Sequence, residues 1–285
     1  MDDVETYSSR SKKRRSRFLK FGLAAVIFVV ILAIILGVVL STTARNPSGE
    51  KLKSTVITRC EKFVESTNIS RDCQKLWNLF EQAYVGRDPC AVPPEAYNPL
   101  MAGMHPDPSC NRMLFWSKTK DLVHDFTEKR DCYQTLEDTL LGSVMDGLTW
   151  CGKEGTRETF TTDCPGWTDC DNNPVRLFWN RASAGFADAA CGDVTAMLNG
   201  SIATPFSPAS IFASIEVKQF NSTRMNGLNV VLVTNKNDIT TCENPSLKVL
   251  QKELDPKLKY SCKEVTQSNI QECMLRPDPA CGACW

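Results

Sequence analysis

Histidine is scarce in this chain, with only His105 and His124 among 285 residues. A multi-histidine metal centre or a Ser-His-Asp triad is therefore not expected, and both histidines read as surface or packing residues. No Gly-x-Gly-x-x-Gly run occurs, so a dinucleotide held as a cofactor on a Rossmann unit is not expected either. There is no formal net charge, with 33 basic and 33 acidic side chains, and no internal repeat. Seven basic and three acidic residues fall in the first twenty, which leaves the rest acidic overall and makes nucleic acid an unexpected partner. The C-terminal end, Arg276 to Trp285, carries no apolar tail, so a GPI anchor is not expected.

Against these absences stands one long apolar run, Phe21 to Leu40, entered directly from the basic cluster Lys12 to Arg17. At about 1.5 Å per residue, such a run crosses a hydrocarbon core of about 30 Å as a helix. The basic flank holds its N-terminal side in the cytoplasm. The run is longer than the apolar part of a cleaved signal peptide, although Thr42-Thr43-Ala44 resembles a weak cleavage site. The expected organisation is a cytoplasmic tail over 1–20, a transmembrane signal anchor over 21–43, a polar stalk over 44–59 and an extracellular domain over 60–285. That organisation would be a single-pass type II protein of the plasma membrane. All fourteen cysteines lie beyond the span, on the oxidising side, and read first as disulfides. Sequons at Asn68, Asn199 and Asn221 fit a glycosylated surface.

Within the domain, the apolar positions Leu76, Leu79, Phe80, Ala83 and Tyr84 share one helical face, and Gly86 stops that helix. A Pro-rich loop over 89–108 leads to a second helix expected over Met113 to Arg130. Thr135 with Asp138 predicts a further helix start. Asn173-Pro174 opens a long helix running toward Gly200, interrupted at Gly185 and Gly192. Ile211 to Val217 and Leu228 to Val233 are short and β-branched, as buried strands are, and Pro245 to Glu253 returns to helical spacing. The pattern predicts an α+β fold with an α/β-like C-terminal part: a mainly helical lobe over 60–200, and a lobe over 201–285 holding a small, mostly parallel sheet with flanking helices. Disulfides reinforce both.

Few residues declare a chemistry by themselves. Gly147 to Glu154 nearly matches a phosphate-binding loop, but Glu154 stands where Ser or Thr is needed and Cys151 is a disulfide candidate, so that reading is rejected. Cys281 and Cys284 have the spacing of a metal or redox pair without a second pair, and a terminal disulfide is the simpler reading. Glu216 interrupts an apolar run. Strand alternation puts it beside Phe212 and Ser214 on a face that is either wet or holds the carboxylate for a purpose. Glu137 and Asp138 read equally as helix N-terminal charges, and Trp116 and Trp179 as core aromatics.

Taken in order, the segments Leu136 to Gly142, Leu148 to Gly152, Asn172 to Val175 leading to Phe178-Trp179, and Ser214 to Val217 closely resemble the ADP-ribosyl cyclase / cyclic ADP-ribose hydrolase family, from about Cys60 to Cys273. The anchor and the missing lipid signal are similar to its type II branch. The resemblance implies an enzyme that cleaves the nicotinamide–ribose bond of NAD to give ADP-ribose and some cyclic ADP-ribose, and that hydrolyses cyclic ADP-ribose. NAD, and by extension NADP, is then a substrate, and neither a cofactor nor a metal is implied. Glu216 is implied as the catalytic carboxylate, and Glu137 as the acid that steers cyclisation against hydrolysis. Trp116 and Trp179 are implied as the active-site tryptophans, Asp146 as a second acid near nicotinamide, and Ser183 and Phe212 as phosphate neighbours. Three positions depart from the family pattern: Lys118 for arginine, Ile211 for threonine and Gly147 for aspartate. An ammonium at Lys118 meets a phosphate without the bidentate fork of guanidinium.

The same resemblance implies disulfides Cys60–Cys73, Cys90–Cys170, Cys110–Cys191, Cys151–Cys164, Cys242–Cys262, and Cys273 with Cys281 or Cys284. Cys132 and one terminal cysteine are left to pair together, stay free or link a homodimer. Cys110 and Cys191 are associated with cyclic ADP-ribose hydrolysis. The rival reading is a catalytically weak surface receptor that retains the fold and binds an unknown protein ligand. A β-sandwich adhesion module fails on the helical first half.

Overall fold

The computed structural model describes residues 47–104, 109–235, 240–276 and 284–285. Residues 1–46 lie outside it, and with them the cytoplasmic tail, the Phe21–Leu40 run and the start of the stalk, as do His105 and Cys281. No helix among the described residues is long and apolar enough to cross a membrane.

Folded structure begins earlier than expected. The segment read as a polar stalk is largely the first helix, α1 (Pro47–Thr67), in which Leu52, Val56 and Cys60 recur every fourth residue and are buried. Helix α2 (Cys73–Gln82) is started by Asp72, whose carboxylate accepts from the Lys75 amide, and it buries Leu76, Trp77 and Phe80. Phe80 packs edge-on against Trp150 with ring centroids 4.9 Å apart, and Trp150 meets Phe178 at 5.5 Å. The Trp150 indole donates to the Tyr97 hydroxyl, which satisfies two polar groups deep in the core. The short helix α3 (Asn98–Gly103) completes this layer.

The predicted helix over 113–130 divides in two. Leu114–Ser117 is strand β1, and only Lys120–Lys129 is helical, as α4. The chain turns between them at Lys118, whose φ of 60° is in the left-handed region. Asn199 Nδ2 donates to the Lys118 carbonyl and the Thr119 hydroxyl donates to the Met197 carbonyl, so the turn is pinned from β2. Thr135 starts only a 3-10 turn, Leu136–Asp138. The Asp138 carboxylate accepts from both the Thr135 amide and its hydroxyl, and α5 (Leu140–Met145) follows at once. The long helix predicted from Asn173 is α6 (Pro174–Asp188), capped by the Asn173 side chain. It stops well before Gly200, because residues Gly192–Asn199 form strand β2.

The predicted strand over 211–217 is not extended. Phe212–Glu216 is a π-helical turn and Val217–Gln219 a 3-10 turn. Phe212 anchors the turn among Phe115, Phe206 and Phe220. Strand β3 (Met225–Thr234) and helix α7 (Pro245–Glu253) match the reading, while strand β4 (Lys259–Thr266) and helix α8 (Gln267–Met274) extend it. The four strands form one all-parallel sheet in the order β1-β2-β3-β4. The sheet therefore takes two strands from each predicted lobe and is not confined to 201–285. One face, with Phe115, Val194, Ala196, Leu228 and Val230, packs against the main helical core. The other, with Leu114, Met197, Val231 and Val265, packs on α4 and α8. Both faces are covered, as parallel sheets require.

Among the described residues the structure forms Cys60–Cys73, Cys90–Cys170, Cys110–Cys191, Cys151–Cys164, Cys242–Cys262 and Cys273–Cys284. Cys284 thus bonds to α8 and not to its neighbour Cys281. Cys132 is disulfide-bonded too.

Candidate active site

The carboxyl ends of parallel strands leave a crevice where ligands bind. Here a cavity of about 540 Å³ opens beyond the end of β1. Each of the eight cavity residues expected from sequence lines it: Lys118 and Trp116 from β1 and its turn, Glu137 from the 3-10 turn, Asp146 at the end of α5, Trp179 and Ser183 from α6, and Phe212 and Glu216 from the π turn.

Local structure explains how these side chains converge. Val175, Trp179, Ser183 and Phe186 recur at helical spacing, which gives α6 one face toward the cavity while Phe178 is buried in the aromatic core behind it. In the π turn, Phe212 and Glu216 fall on one side while Ser214 faces solvent. This corrects the alternation that placed Ser214 beside Glu216. Single π turns often occur at functional sites, and this one inserts a carboxylate between α6 and β1 where a strand would have left it at the rim. Glu216 is only 7% exposed. Burial pushes its pKa up to about 8, Ser183 beside it pulls the other way, and the charge of Glu137 adds to the rise.

Glu137 is held in the opposite state. Burial opposes its charge, but His124, its own backbone amide and the Trp116 indole together keep it below the ordinary carboxylate range. Trp116 Nε1 donates to Glu137 Oε2 at 3.2 Å. His124 Nε2 stands 3.6 Å from the same oxygen, an electrostatic contact longer than a hydrogen bond. Asp146 pairs with Lys120 at 3.0 Å. The backbone around it is fixed from α1, where the Arg59 guanidinium donates to the carbonyls of Val144 and Asp146 at 3.0 and 2.8 Å.

Sequence reasoning missed several of these residues. Lys120, Thr149, Trp167 and Ser210 also line the cavity. Lys120 lies two residues beyond Lys118, and once the intervening turn is known that spacing is its only signal. His124, read as a packing or surface residue, is a neighbour of Glu137. Cys110 and Cys191 do not line the cavity; their bond ties the segment before β1 to the segment before β2. Among the described residues no three His, Cys, Asp or Glu side chains are grouped to hold a metal ion.

The sequence profile of the ADP-ribosyl cyclase family matches residues 49–282. This chain belongs to the ADP-ribosyl cyclase family. Its sequence is 32% identical to rabbit (Oryctolagus cuniculus) ADP-ribosyl cyclase/cyclic ADP-ribose hydrolase 1 over 295 residues, covering 99% of each chain. It is 35% identical to the mouse (Mus musculus) protein of the same name over 227 residues, 75% of this chain and 74% of that one. Among solved structures of the cyclase family, porcine CD38 complexed with a covalent intermediate superposes with a TM-score of 0.71 at 35% identity, over 75% of this chain and 96% of that one. Aplysia cyclase complexed with substrate NGD and product cGDPR gives 0.70 at 26%, over 82% and 96%.

Proposed function

We propose that this cyclase-family protein is an NAD glycohydrolase and ADP-ribosyl cyclase that also hydrolyses cyclic ADP-ribose, with Glu216 as its catalytic carboxylate. The observation that carries the reading is Glu216 itself, buried at the base of a cavity walled by Trp116 and Trp179. Glycosidases acting on neutral sugars need one carboxyl to protonate the leaving group and another to meet the oxocarbenium ion. In NAD the nicotinamide ring is already cationic and departs neutral, so one carboxylate suffices, and neither a metal nor a redox cofactor is required. The approaching pyridinium favours ionisation of Glu216, which attacks the anomeric carbon or stabilises the cation there. The covalent intermediate captured on porcine CD38 supports the attacking role.

Trp116 and Trp179 offer flat faces to nicotinamide and adenine. Glu137 and Asp146 contact the carboxamide end, Lys118 and Lys120 supply positive charge for the pyrophosphate, and Ser183 and Phe212 shape its seat. Water or the substrate's own N1 nitrogen then takes the ribosyl group. The Cys110–Cys191 bond supports a hydrolase-dominated product mixture. In the cell we place this chemistry outside the plasma membrane, behind a type II anchor at Phe21–Leu40, with glycans at Asn68, Asn199 and Asn221, and feeding calcium signalling through its cyclic product.

The test is nicotinamide release from NAD by the parent protein and by Glu216→Gln, with products separated by chromatography. Release falls at least ~1000-fold in the variant if Glu216 carries the reaction. Equal release by both proteins would exclude it.

A further inference from the structure

Glu137 Oε2 is approached from two sides, by the Trp116 indole N–H at 3.2 Å and by His124 Nε2 at 3.6 Å. His124 and Trp116 also meet each other edge-to-face, with ring centroids 5.9 Å apart at 85°. The three side chains form a closed triangle. Two of its members line the cavity, while His124 stands behind them on α4. Its Nε2 is buried and lacks a hydrogen-bond partner. Its ion-pair contact is with Glu137, one that apolar residues of the same helix, such as Leu122, Val123 and Phe126, could not make. Packing alone therefore gives no reason for an imidazole here.

We propose that His124 is a positioning residue for the reaction: it holds Glu137 as a carboxylate in its cavity-facing orientation, and so sets how the ribosyl group divides between adenine and water. The inference rests on the NAD-cleaving reading above. Glu137 and Glu216 share one cavity, and the charge of the first disfavours ionisation of the second. An imidazolium beside Glu137 offsets that charge without occupying substrate space. The charged groups facing the imidazole are Glu137 from the 3-10 turn and Asp146 from the end of α5, both favouring its proton, and Lys120 on its own helix, opposing it. The balance lifts His124 above its ordinary value, with Glu137 as the largest cause. As pH rises through that value the imidazolium is lost, Glu137 is left to Trp116 and its own backbone amide, and more of its field reaches Glu216.

With only two histidines, the imidazole NMR signals are assigned by comparing the parent with His105→Gln. The His124 titration is expected to move to lower pH in Glu137→Gln. In the parent, the early ratio of cyclic ADP-ribose to ADP-ribose shifts with pH along the His124 titration, by ~3-fold or more. In His124→Gln that pH dependence is flat, while thermal melting stays close to the parent. The proposal is overturned if Glu137→Gln leaves the His124 titration in place, if the parent ratio does not follow it, or if His124→Gln keeps the dependence. A parent that leaves NAD intact while the NMR coupling is present would instead sink the assigned reaction.

Discussion

Two carboxyl groups in one cavity are driven to opposite protonation states by their surroundings. Glu216, with its pKa near 8, is largely protonated in the free protein at neutral pH, whereas Glu137 stays ionised. On the role proposed for Glu216 the working form is the anion, so kcat/KM for NAD is expected to rise with pH and level off above about 8, as a pH–rate profile would show. Ser183→Ala removes a group that favours the anion, and moves that limb upward. Stability changes in the opposite sense. A carboxyl whose folded pKa lies above its unfolded value binds more protons when folded, so stability is full below about 4.5 and declines as pH rises toward 8. Glu216→Gln removes that decline. The variant should be more stable than the parent at pH 9, by ~1–3 kcal/mol, and show no such gain at pH 4.5. Calorimetry at the two pH values checks it.

Glu137 depends on a close approach between two short elements. A Cβ at Gly142 would lie 1.9 Å from the Leu136 carbonyl oxygen and 2.6 Å from Glu137 Cα, so the 3-10 turn can sit against α5 only over a glycine. Gly142→Ala is expected to push the turn away, cost ~2 kcal/mol or more and lower nicotinamide release at least ~10-fold, although the residue does not line the cavity. Elements also differed in how well the sequence announced them. Helix α2 carried a stripe and a glycine stop, α6 a cap and α7 helical spacing, and their starts were legible, although α6 ends at Asp188 and not near Gly200. β1 is four residues long, and its Leu114 fitted the helical stripe of the segment that follows. β4 is an edge strand with most of its residues solvent-accessible, so it has little apolar signal to read. Residues 211–217 have strand composition, but a short apolar run does not specify its period. In the structure it packs against α6 and β1 as a π turn. The site residues were legible by wording, whereas His124, Lys120 and Arg59 became visible only once separate elements met.

Across the whole molecule, the sheet joins the chain in sequence order, and the cavity lies where β1, α6 and the π turn converge. Two disulfides span long stretches, Cys90–Cys170 over 80 residues and Cys110–Cys191 over 81, while Cys60–Cys73 closes only 13. By loop-closure entropy, replacing both Cys90 and Cys170 with alanine should cost about 4.5 kcal/mol, against about 3 kcal/mol for the Cys60/Cys73 pair, measurable by denaturant titration. The two long bonds are interleaved: Cys110 lies inside the loop closed by Cys90 and Cys170, and its partner lies outside. As the chain emerges from the ribosome, Cys90 and Cys110 are both exposed some sixty residues before either partner arrives. Pairing in order of appearance joins the wrong thiols, so reaching the native set calls for thiol–disulfide exchange that undoes an early mistake.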